Sequence, residues 1–271
     1  MTLAARQGLA AIALTDHDTV DGVRQILKLS LPDSLQFLTG IELSAAPPAG
    51  TAYTGSIHIL GYGFDADRPG LLEVTERLTR ARARRIPRII EKLRQAGIDI
   101  DRQEVDRRIG RGAAGRPHIA EVLVEKGIVE DIDSAFDLWL AKGRPGYVDK
   151  YRLPAEQAIA TIRQAGGVAV LAHPWLIFKA IDRRLEDLVA GLSAMGLDGL
   201  EALYPKHPPR AVGKLKEMAR RFGLIVTGGT DFHGAITPEI QLGKGSGDFR
   251  VPYEIFLKLK QRIAQHRQNQ L

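Results

Sequence analysis

The chain has no cysteine, which excludes disulfides and thiolate metal ligation alike. Any metal it holds must be bound by imidazole and carboxylate, a donor set suited to Mn, Fe, Zn or Mg rather than softer ions. No apolar run approaches membrane-spanning length, and no basic start followed by an apolar middle is readable as a leader. These absences lead to the expectation of a cytoplasmic protein that avoids membranes and has no obligate protein partner evident in its sequence. Internal repeats and low-complexity tracts are lacking too. What remains is ordinary globular composition, 44% hydrophobic and 26% charged over 271 residues, enough for one large domain or a barrel with a smaller insert.

Charge is unevenly placed. From Arg77 to Arg116 there are thirteen Lys and Arg against five Asp and Glu, a local surplus of +8 in a chain whose net charge is +6. Such a surplus suits phosphates or nucleic acid, although an arginine-rich solvated helix would look the same.

Alternation of short apolar runs with helical periods predicts an α/β fold. Strands are expected over 9–14, 35–41 (closing on Glu42), 56–62, 167–172, 197–202 and 224–227. Helices are expected over 19–29, 156–165, 185–195, 210–222 and 253–268. From about Leu71 to Leu140 the period is helical throughout, with Gly97 as a C′ glycine, a glycine-rich loop over 110–115 and Pro117 opening a helix. The expected division is therefore a barrel over 1–66 and 151–271, interrupted by a helical insert over 67–150 acting as a substrate cap.

Polar clusters recur just past predicted strand ends: Asp16-His17-Asp18, Glu42, His173-Pro174 and Asp231-Phe232-His233, with His58 inside its strand. Parallel β/α architectures build their sites at the carboxyl ends of strands. Each cluster has an ordinary alternative. Asp16 and Asp18 could cap the helix after Thr19, His58 could be a core residue, and His173 could simply end a strand. Their shared address argues for a metal constellation. His207, past another strand end, could approach the substrate but reads more simply as a loop histidine, and His266, among Gln and Arg on the terminal helix, is assigned no role.

The segments 13–20, 40–44, 57–62, 171–174 and 228–233 resemble, in order and context, the PHP-domain phosphoesterases. Within that family the closest resemblance is to bacterial 3′,5′-nucleoside bisphosphate phosphatases and RNase AM-like 5′→3′ exoribonucleases, and it spans essentially the whole chain. The resemblance implies a distorted (β/α)7 barrel and a divalent metal cluster, expected to be Mn²⁺, with Zn²⁺, Fe²⁺ or Mg²⁺ as alternatives. It implies that Glu42 bridges two ions, with His58 and His173 on one of them and Asp231 on the other. His17 and His233 would hold a third ion. Glu42 and Asp231 are the expected catalytic carboxylates. Arg116, His118 and Lys150 are expected to contact substrate phosphate, with Tyr147 stacking on a base; the competing reading leaves His118 in a helix turn and Lys150 in solvent. The expected substrate is a nucleotide or short RNA. Histidinol phosphate and a catalytically impaired nucleotide- or RNA-binding protein are the alternatives.

The chain departs from the family in one respect. PHP enzymes open with a strand carrying His-x-His, soon followed by Asp, and no such segment precedes the helix ending at Gly8. A start roughly two dozen residues upstream would supply it; loss of the strand is the alternative. Since every other ligand motif is present, the upstream start is expected.

Overall fold

A computed structural model describes residues 1–109, 115–234 and 237–268. The chain divides into two compact units, Met1–Val74 with Arg152–Leu271, and Thr75–Tyr151. The first unit contains α1 (Thr2–Arg6), β1 (Ala11–Leu14), α2 (Asp21–Ile26), β2 (Gln36–Ala46) and β3 (Ile57–Tyr62). A long helix α3 (Pro69–Gln95) leads into the second unit, which holds α4 (Arg102–Ile109), α5 (Arg116–Glu125), α6 (Ile132–Ala135) and a π-helical turn over Phe136–Leu140. The first unit resumes with β4 (Leu153–Pro154), α7 (Ala155–Gln164), β5 (Val168–Leu171), α8 (Trp175–Phe178) and α9 (Arg183–Ala194). It ends with β6 (Gly199–Leu203), α10 (Pro209–Arg221), β7 (Ile225–Gly228) and α11 (Tyr253–Gln268).

The strands form one mixed sheet in the order β1-β2-β3-β5-β6-β7, with β4 also pairing to β2. It makes a half-barrel with helices around it. Only β3 runs against its neighbours. β5 is buried at every position, as expected for a strand covered on both faces. The terminal strands are different: all four residues of β1 and three of the four in β7 are only half-buried, apolar though most of them are.

β2 is longer than its sequence suggests. Periodicity placed Glu42 beyond a strand ending at Ile41, whereas β2 continues through Glu42 to Ala46. The extension is stabilised from both sides, since β3 pairs with residues from Gly40 to Ala45 while the chain beyond β1 forms a parallel bridge between His17 and Glu42. β4, with a proline in a two-residue strand, carries no readable period and was missed.

In the second unit, the buried cluster includes Ile86, Ile89, Leu93, Ile100, Val105, Ile119, Leu123, Leu140 and Val148. Leu93 closes α3: Gly97 takes φ +85° and Ile98 N donates to Leu93 O at 2.9 Å, a Schellman-type ending. Of the glycine-rich loop expected over 110–115, only Gly115 falls within the described residues.

Gly40 is required by packing rather than by a turn. A Cβ there would stand 2.4 Å from Leu14 O and 2.8 Å from Thr15 Cγ2, where the chain leaves β1 toward His17. Gly40→Ala should therefore cost about 1–3 kcal/mol in urea unfolding, the range for overpacking a tight site. An unchanged midpoint would show that β1 can yield.

Candidate metal centre

Glu42 is the centre of the cluster. Its side chain is 6% exposed, a burial that an isolated carboxylate tolerates poorly. Three imidazoles surround it: His58 Nδ1 lies 2.6 Å from Oε1, His173 Nε2 3.3 Å from Oε1 and His17 Nδ1 3.3 Å from Oε2. Each arrives on a different segment. His17 follows β1 and bridges to β2. His58 is the second residue of β3, and because that strand runs backwards its start lies at the carboxyl end of β2, with Ser44 as the register partner of His58. His173 follows β5. The rings of His17 and His58 are 5.0 Å apart, those of His58 and His173 5.3 Å, and those of His17 and His233 6.1 Å.

Among the described residues, His17, Glu42 and His58 offer ligand atoms all within 4.8 Å of one another. The resemblance implies a grouping of His58 with His173 and of His17 with His233; His17, His58 and His173 all lie within 3.3 Å of Glu42, and His233 Nδ1 lies 3.5 Å from Asp231 Oδ1. Asp231 receives the Tyr204 hydroxyl at Oδ2, 3.0 Å away, and His233 Nδ1 lies 2.8 Å from the Asp231 carbonyl. The residues fit a divalent ion. Hard carboxylate and borderline imidazole donors converge, and the buried Nδ1 of His173 has no hydrogen-bond partner among the described residues, a need that an ordered water could meet.

Burial opposes the charge on Glu42, yet His17 and His58, with hydrogen bonds from His173 and His58, hold its carboxyl well below the usual range. Burial likewise opposes the charge on His173, but the Glu42 carboxylate overcomes it and raises His173 to about 8. Glu201 is pushed up to about 8, chiefly by burial.

Asp18, which could have capped α2, does not. The helix takes no side-chain cap on Val20, and Asp18 instead accepts from Ser44 N at 2.7 Å and Ser44 Oγ at 2.9 Å on β2. Its φ is +61°, and His173 (+30°) and Asp231 (+52°) are also left-handed. Such strain in non-glycine residues gathers at functional sites. Glu201 and Tyr204 were not singled out from sequence; a buried carboxylate and a tyrosine at the end of β6 carry no distinctive spacing. His207 and His266 are both buried. His207 Nδ1 meets Ala202 O at 3.1 Å. His266 joins α11 to the sheet: its Nε2 lies 2.8 Å from Asp198 Oδ1 and its Nδ1 3.1 Å from Gly167 O.

In the second unit the residues expected to contact phosphate or base also make bonds within the unit. Arg116 Nη1 donates to Leu140 O at 2.8 Å, its guanidinium lying 5.3 Å from the Phe136 ring and 5.9 Å from that of Tyr147. His118 Nδ1 accepts from Gly115 N at 3.2 Å, so the N3 side chain of α5 reaches back to the N-cap, as in one half of a capping box. Tyr147 OH donates to Asp149 Oδ1 at 2.8 Å, and Lys150 N donates to the same oxygen at 3.0 Å.

Imidazoles and carboxylates on the rim of an α/β sheet are a donor set that metal-dependent hydrolases use. No family model matches the chain. It is 32% identical over 246 residues to the 5′-3′ exoribonuclease Rnm of Escherichia coli, covering 89% of this chain and 80% of that protein. It is 30% identical over 239 residues to the 3′,5′-nucleoside bisphosphate phosphatase of Chromobacterium violaceum, covering 85% and 79%. The crystal structure of a protein of Bifidobacterium adolescentis assigned as a metal-dependent phosphoesterase superposes with a TM-score of 0.83 at 29% identity, covering 96% of this chain and 88% of that one. The chain belongs to the PHP family of metal-dependent phosphoesterases.

Three shifts set the sign of the pH dependence in the metal-free protein, and the raised Glu201 loses stability from 4.5 up to about 8. A lowered Glu42 contributes stability above its ordinary 4.5 and loses it on acidification; a raised His173 contributes it below 6.5 and loses it as pH rises through about 8. Urea midpoints of the metal-free protein should therefore fall between pH 6.5 and 8. Glu42→Gln, lacking the charge that raises His173, should keep only the part of the fall that the raised Glu201 causes; an identical fall in both would remove Glu42 as a cause.

Proposed function

We propose that this protein hydrolyses phosphoester bonds of nucleotides, taking nucleoside 3′,5′-bisphosphates or the 5′ ends of short RNA, with Mn²⁺ as its working ion. The observation that carries the reading is the buried Glu42 carboxylate ringed by His17, His58 and His173. The substrate class is supported by what the relatives are named for: a 3′,5′-nucleoside bisphosphate phosphatase in one case and a 5′-3′ exoribonuclease in the other.

In this reading Glu42, His58 and His173 would hold one ion, Glu42 with Asp231 another, and His17 with His233 a third. Such ions supply Lewis acidity, making water nucleophilic at neutral pH and offsetting charge on the phosphoryl oxygens. The protein's own groups prepare that chemistry. Glu42 stays ionised because its imidazole neighbours favour the carboxylate, so it offers both oxygens without first losing a proton. His173 must shed the proton that Glu42 helps it hold, so loading of the ion is coupled to proton release. Asp231 has Oδ2 engaged by Tyr204 OH, so the oxygen it turns toward the imidazoles is Oδ1, 3.5 Å from His233 Nδ1. Arg116, His118, Tyr147 and Lys150 of the second unit are the proposed phosphate and base contacts.

The test is phosphate release from adenosine 3′,5′-bisphosphate, and mononucleotide release from a short 5′-phosphorylated RNA, with Mn²⁺ present. Glu42→Ala should lower either rate at least 100-fold, since removing the central carboxylate leaves three imidazoles without their charge partner. Hydrolysis that persists unchanged in Glu42→Ala would place the chemistry elsewhere.

A further inference from the structure

β6 contributes none of the donor residues, yet it touches two of them. Glu201 Oε2 accepts from the His173 backbone N at 2.8 Å, and Tyr204, just past the strand, donates its hydroxyl to Asp231 Oδ2 at 3.0 Å. Both side chains belong to buried residues, 5% and 6% exposed. In a regular strand, residues three apart point to opposite faces. β6 is not regular here: Glu201 pairs with Thr227, but Leu203, two residues on, pairs with Gly228, only one residue on. The extra residue resets the alternation, as a bulge does, so Glu201 and Tyr204 reach the same rim.

The residues they hold are the ones that need holding. His173 and Asp231 both have left-handed backbones, at φ +30° and +52°, conformations that a non-glycine residue keeps only when its surroundings enforce them. The Glu201 bond anchors the His173 amide within that turn. The other oxygen of Glu201 faces the loop after β7, where a Cβ on Gly229 would stand 3.4 Å from Oε1. Glu201 thus lies between the segment bearing His173 and the one bearing Asp231. The Tyr204 ring is itself packed between two histidines, with centroids 5.6 Å from His173 and 5.1 Å from His207.

We propose that Glu201 and Tyr204 are positioning residues of the metal centre, Glu201 fixing His173 through its backbone and Tyr204 selecting which oxygen Asp231 presents. The inference deepens the proposed function and rests on it for the identity of what is positioned. β6 serves as a brace between its two neighbours, and the metal donors on those neighbours converge because the brace sets their loops. Partners of this outer kind change metal affinity by about 10–100-fold when removed.

The experiment titrates Mn²⁺ alone into the metal-free protein and into Tyr204→Phe, Glu201→Ala and Glu201→Gln. Hydrogen exchange at the His173 amide and the Asp231 carboxyl ¹³C resonance are followed without metal. Tyr204→Phe should bind Mn²⁺ about tenfold more weakly while its thermal midpoint without metal stays that of the parent, and its Asp231 resonance should shift. Glu201→Ala should weaken Mn²⁺ binding and speed exchange at His173. Glu201→Gln, which keeps an acceptor oxygen, should restore most of both. Parental Mn²⁺ affinity in Tyr204→Phe, or unaltered His173 exchange in Glu201→Ala, would overturn the proposal. If Glu201→Ala does not fold, Tyr204→Phe decides. If the parent itself binds no Mn²⁺, the proposed function fails, and the His173 exchange rates and the Asp231 resonance decide the positioning role on their own.

Discussion

The site depends on one constraint, a carboxylate buried in the middle of a sheet. Glu42 can be ionised there only because His17, His58 and His173 are brought against it from three other segments of chain. None of these residues is near another in sequence, and each contact relies on strand register: His17 bridges Glu42, His58 pairs opposite Ser44, and Leu171, two residues before His173, pairs with Ile59. A slip of one residue in any of these pairings would turn the side chain to the other face. The registers and the site therefore stand together, and close packing at Gly40 protects the one on which His17 depends.

The rim also carries backbone strain, and each strained residue is met by a specific bond. Asp18, His173 and Asp231 lie in left-handed conformations costing about 1–3 kcal/mol each. Ser44 donates twice to the Asp18 carboxylate, Glu201 accepts from the His173 amide and Tyr204 donates to Asp231. These bonds come from β2 and β6, strands whose ends are already set by the sheet. Sheet formation thus supplies the groups that hold the turns, and the turns aim the donors.

Much of this was legible in the chain and some was not. The order of strands and helices could be read from apolar runs and helical periods, because burial imposes them locally. Glu42 was read as lying past a strand end, since nothing in the sequence reports that β3 and the bridge to His17 extend β2 to Ala46. His58 looked like an exception inside its strand; the antiparallel direction of β3 brings it to the same rim. Asp18 matched a helix cap by type and position, but a better acceptor geometry lay across the sheet on Ser44. His266 gave no signal among its polar neighbours, because its partner Asp198 is 68 positions away in the numbering.

The sequence by itself determined the chemistry available: imidazole and carboxylate donors with no thiolate, carried on an α/β pattern whose polar clusters follow its apolar runs. Residue type and period are local properties, so they survive in one dimension. Only the tertiary structure decided which donors share a carboxylate and which residues brace them. Those outcomes turn on strand direction, register and the bulge in β6, and such features arise from pairings between distant segments that no local pattern encodes.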